Sequence, residues 1–88
     1  MLKIGDRVKL NPKGKFTHYA NKKVEEIIKD RVGIIKENNE KKTKYIVNFV
    51  EEGDYENDKI KYFHLFVLKN YAVKPEELKK VRNNIQKI

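Results

Sequence analysis

The opening stretch Lys3-Ile4-Gly5-Asp6-Arg7-Val8-Lys9-Leu10 carries the pattern on which the fold reading turns. Leu2, Ile4, Val8 and Leu10 share one parity, while Lys3, Arg7 and Lys9 fall on the other. That period of two is the signature of a half-buried strand, here with a basic outer face. Asn11-Pro12-Lys13-Gly14 ends it, because proline removes a backbone donor and glycine permits a turn. From Phe16 the apolar spacing becomes helical: Phe16, Ala20, Val24, Ile27 and Ile28 predict a helix over about 16–29, with Thr17 as its N-cap.

Further along, Arg31 to Lys36 is short and rich in β-branched residues, Asn38-Asn39 signals a turn, and Thr43 to Val50 resumes strand character. Together they predict a β-hairpin. A polar loop from Glu51 to Asp58 carries Gly53, and the apolar run Ile60 to Leu68 predicts one or two further strands. Pro75, Glu76 and Glu77 followed by cations predict a terminal helix over about 75–88, with Leu78, Val81, Ile85 and Ile88 as its apolar stripe.

The run Lys3 to Leu10, with Arg31-Val32-Gly33-Ile34-Ile35 and Tyr45-Ile46-Val47-Asn48-Phe49, resembles the KOW-type, Src-homology-3-like small barrels. Gly5, Asp6, Gly33 and Phe49 are the matching positions. The resemblance implies a mainly β fold, and a length of 88 residues leaves room for a single domain over 1–88. Its antiparallel barrel would span about 2–69, with a helix inserted after the first strand and a second helix at the C-terminus. It also implies the company such barrels keep: ribosomal, transcription-associated or small phage proteins. The segment from Asn11 to Asp30 is longer than the tight loop of that family, and fold alone does not choose between nucleic-acid and protein partners.

Composition narrows the classes. In 88 residues, 21 Lys and Arg stand against 13 Asp and Glu, for a formal charge of +8. Such a balance favours polyanionic partners, DNA or RNA contacted through phosphates, or an acidic protein surface. Only Arg7, Arg31 and Arg82 are arginines, so diffuse phosphate attraction fits better than bidentate reading of base edges. With no Cys, neither a disulfide framework nor a thiolate zinc site is available. No long apolar run suggests a signal peptide or membrane span, so the expectation is a cytoplasmic protein without a membrane partner.

Charge is also unevenly placed. Residues 1–23 hold seven cations and one acid, residues 46–58 hold five acids and no cation, and residues 59–88 hold eight cations and two acids. Lys13, Lys15, Lys22 and Lys23 gather around the start of the predicted first helix, where the helix dipole favours an anion, and Arg7 and Lys9 extend the basic surface. Tyr19 falls off the apolar stripe and is a candidate for stacking on a base, with Phe16 and His18 beside it. The competing reading is a merely solvated lysine surface.

Asp54, Glu56 and Asp58 have the first spacings of a calcium loop, but Lys59 stands where glycine is required and Leu65 where the bidentate Glu belongs. No metal and no cofactor is expected. Absence of Ser and Cys removes the usual nucleophilic triads, and His18 and His64 lack a surrounding motif. A carboxylate nuclease using Asp6 and Asp30 is the distant enzymatic reading. The expected function is thus a nonenzymatic nucleic-acid-binding module. The alternative is a protein-interaction module, a small viral or regulatory factor docking on a host enzyme or transcription protein, with Leu78, Val81 and Ile85 as a partner interface.

Overall fold

The structure, a computed structural model, describes residues 2–11 and 22–81, with the backbone alone for Lys22. In chain order the elements are β1 (Arg7–Leu10), α1 (Lys22–Ile28), β2 (Gly33–Asn38), β3 (Tyr45–Asn48), α2 (Tyr62–Lys69), β4 (Tyr71–Val73) and β5 (Leu78–Lys80). Short 3-10 turns occupy Asp54–Glu56 and Pro75–Glu77. The strands form one antiparallel sheet in the order β4-β3-β2-β1-β5.

Alternation decides the faces. Val8, Leu10, Ile35, Tyr45, Val47, Tyr71, Val73 and Leu78 are buried on one side of the sheet. Val24 and Ile28 of α1 and Leu65 and Leu68 of α2 close that side into a single core. A seven-residue helix is too short to persist alone. Val24 and Ile28, one turn apart and fully buried, hold α1 in place at about 1.5–3 kcal/mol per side chain.

The strand parity holds only from Arg7. Gly5 has φ near 95°, and its amide donates to the Ile35 carbonyl at 2.8 Å, so the chain turns there. Ile4 is left exposed while Leu2 packs on the core. The predicted hairpin is present as β2 and β3. Its turn is organised by Asn39, whose Oδ1 accepts from the amides of Thr43 and Lys44 at 2.9 and 3.1 Å.

Three expectations are corrected. The sheet is open: β4 and β5 are its two edges, so this is a mixed α/β domain with helices on one face, and the KOW-type, Src-homology-3-like barrel is not formed. The apolar run expected to be strands is helix α2. Its buried residues His64, Leu65 and Leu68 follow helical spacing, and the Lys61 amide donates to His64 Nδ1 at 3.2 Å to cap the first turn.

The terminal helix over 75–88 is overturned for its described part. After one 3-10 turn closed by the Leu78 amide on the Pro75 carbonyl, the chain becomes extended and pairs with β1. Leu10 faces Leu78, Lys9 faces Lys79 and Val8 faces Lys80, and the Val81 amide continues the ladder to the Arg7 carbonyl at 2.8 Å. The open edge of β1 supplies hydrogen bonds and burial for Leu78 that an unsupported terminal helix lacks. Of the predicted stripe, Leu78 is core, Val81 is half-buried, and Ile85 and Ile88 lie outside the described residues.

Candidate functional site

Helix α2 turns three aromatic side chains outward. His64, Leu65 and Leu68 face the core, which leaves Tyr62, Phe63 and Phe66 in solvent at 91%, 54% and 69% exposure. Side chains three and four apart on a helix are neighbours, so Phe66 lies beside both Phe63 and Tyr62. The Phe63 ring also sits against the His64 imidazole, with centroids 4.0 Å apart. Scattered exposed apolar residues are ordinary on a protein surface, but three aromatic rings on one helical face form a patch of the kind that marks a binding surface.

Lysines surround the beginning of this helix. Lys59 and Lys61 are exposed immediately before it, and the ammonium of Lys23 reaches across from α1 to donate to the Lys59 carbonyl. Burial is the main force holding the His64 imidazole below its ordinary pKa, and the charges of Lys23 and Lys61 add to it. The imidazole is therefore a neutral acceptor for the Lys61 amide.

Acidity from the unfolded value of 6.5 downward should erode this cap. As pH falls, the unfolded chain takes up its proton first. Stability is then retained above that value and lost below it, until the folded imidazole also titrates. Melting curves of the protein and of His64→Gln between pH 7 and 5 should converge as pH falls, since a glutamine carbonyl accepts the same bond without titrating. Parallel curves would show that His64 plays no such part.

An acidic, ordered loop, residues 51–58, precedes Lys59 and Lys61 in the chain. Gly53 has φ near 99°, a left-handed conformation, and directs Asp54 inward. Both carboxylate oxygens of Asp54 meet the Arg31 guanidinium, at 2.7 and 2.9 Å, and Arg31 also donates to the Phe49 carbonyl at 3.1 Å. The hydrogen bond from Arg31 is the largest influence holding the Asp54 carboxyl below its usual range. Glu51 lies 3.5 Å from the same guanidinium, whereas Glu52, Glu56 and Asp58 are exposed.

Among the described residues, the predicted candidates fall in separate places. Lys13, Lys15 and Tyr19 lie outside the described residues, as do Phe16, Thr17 and His18. Lys22 opens α1, and Lys23 joins the α2 patch. Arg7 and Lys9 stand on the side of the sheet opposite the described helices, together with Lys79. Asp6 accepts the Lys3 amide at 3.0 Å and pairs with Lys80 at 3.6 Å, while Asp30 is exposed in the turn after α1. Leu78 is buried between β1 and the core and presents no partner surface.

Tyr62, Phe63 and Phe66 were not among the sequence candidates, because the apolar run Ile60 to Leu68 does not reveal its period by composition. The available signal was three aromatics in Tyr62-Phe63-His64-Leu65-Phe66-Val67-Leu68-Lys69, bracketed by lysines, where an interior strand would be richer in valine and isoleucine. No protein-family model matches this chain, and no curated protein or solved structure matches it significantly. Neither a KOW-type nor a viral affinity is therefore supported by relatives.

Proposed function

We propose that the chain is a nonenzymatic module that binds single-stranded nucleic acid on the exposed face of α2. The observation that carries the reading is the set of outward rings, Tyr62, Phe63 and Phe66, beside Lys23, Lys59 and Lys61. Unpaired bases stack on exposed aromatic faces, and lysines beside them neutralise the backbone without reading sequence. Bases paired in a duplex are not free to stack in this way, so the rings favour single strands.

Fluorescence anisotropy with labelled oligonucleotides of mixed sequence tests this reading. Phe66→Ala should weaken single-strand binding by about 1–3 kcal/mol, while duplex binding changes far less. Lys59→Ala and Lys61→Ala should each make the slope of log affinity against log salt shallower by about 0.7. Both effects should be nearly the same for different sequences. Binding indifferent to Phe66 and to both lysines would overturn the reading and turn attention to the same rings as a docking surface for a protein.

A further inference from the structure

We infer that the face of the sheet opposite the described helices is a second phosphate-binding surface, so that one chain tethers two segments of nucleic acid, a function that rests on the single-strand reading of α2. Arg7 and Lys9 point from β1 to this side, and Lys79 of β5 stands directly opposite Lys9. Like charges opposite one another across strands are unfavourable. No ion pair among the described residues relieves Arg7, Lys9 or Lys79, since the nearby acid Asp6 is engaged by Lys80.

The bland account of such lysines is protection of a sheet edge against pairing with another chain. It covers Lys79 and Lys80, which lie on edge strand β5. It does not cover Arg7 and Lys9, because β1 is an interior strand paired on both sides by β2 and β5. Arg7 and Lys79 are exposed, Lys9 is half-buried, and Ile34, opposite Arg7, is 51% exposed, so the row lies at the surface of the sheet.

An extended polyanion fits this arrangement better than a small one. Arg7 and Lys9 are two residues apart on a strand, about 6.6 Å, and Lys79 is one strand spacing further, about 4.8 Å. The charges therefore form a row along and across the sheet. The α2 rings project from the helix layer on the other side of the sheet. One backbone can occupy each surface without crowding the other.

The test is a bridging experiment with two noncomplementary single-stranded oligonucleotides, one immobilised and one fluorescent, in the presence of the full chain. The protein should capture the fluorescent strand, and capture should decline when protein is in large excess over both strands, because each strand is then occupied separately. Lys79→Glu replaces the repulsive pair with Lys9 by an attractive one, so the variant should melt no lower than the parent. It should keep its single-strand affinity at α2 within about twofold and lose at least tenfold in capture.

Capture unchanged in Lys79→Glu would overturn the second surface. So would capture that appears only where sedimentation shows a dimer, because two copies would then be the tether. Single-strand binding that persists without any capture sinks the tether alone, whereas Phe66→Ala without effect on single-strand affinity sinks the α2 reading.

Discussion

Replacing Asp54 with Ala should destabilise the protein by about 3 kcal/mol, the lower end of what is lost when one member of a buried ion pair is removed. Asp54 is 4% exposed and holds Arg31 through two hydrogen bonds. Its removal leaves a partly buried guanidinium with only the longer contact to Glu51 and the Phe49 carbonyl. Those two remaining partners place the effect at the lower end. The loss is a large share of the 5–15 kcal/mol that holds a domain of this size.

The same pair predicts an acid limit. Because the folded carboxyl titrates below its unfolded value of 3.8, its contribution is present above that pH and disappears as pH falls toward the folded value. Urea unfolding at pH 7 and at pH 3 should show a gap between the protein and Asp54→Ala that narrows at the lower pH. A midpoint at pH 7 unchanged by the substitution would remove Arg31 and Asp54 from the account of stability.

Phe49→Ala should cost about 3–5 kcal/mol, the range for emptying a fully buried phenylalanine site. The Phe49 ring meets Tyr71 edge to face, with centroids 5.9 Å apart, and leans over Gly33. A methyl group at residue 33 would lie 2.5 Å from a Val47 methyl and 2.7 Å from the Phe49 ring. Gly33→Ala alone should therefore cost about 1–3 kcal/mol by overpacking.

The two changes should not add. The methyl of the first enters part of the space emptied by the second, so the double variant should be more stable than the sum of the singles by about 0.5–3 kcal/mol. Denaturant midpoints for the four proteins measure that coupling. Strict additivity would show that Gly33 and Phe49 do not share the packing site described.

Local physics made part of this molecule legible from its residues. β-branched runs either side of Asn38-Asn39 specify the hairpin, and Val24 with Ile28 specifies one face of α1, because the patterns are short and their partners lie nearby. The net charge of +8 and the absence of Ser and Cys narrow the chemistry without reference to any fold. Each of these properties depends on neighbours in the chain or on composition alone.

Tertiary structure decided the rest, and the deciding partners are distant in sequence. Ile60 to Leu68 satisfies strand and helix alike until β3 and α1 offer a surface that accepts His64, Leu65 and Leu68 and leaves Tyr62, Phe63 and Phe66 outside. Pro75-Glu76-Glu77 begins a turn that any helix could continue, yet the unpaired edge of β1, about 70 residues earlier, draws Leu78–Lys80 into the sheet. Arg31 and Asp54 are unremarkable charges until folding removes water from both. The open sheet and the outward aromatic face exist because backbone hydrogen bonds and apolar burial are satisfied over the whole chain at once, which no local pattern records.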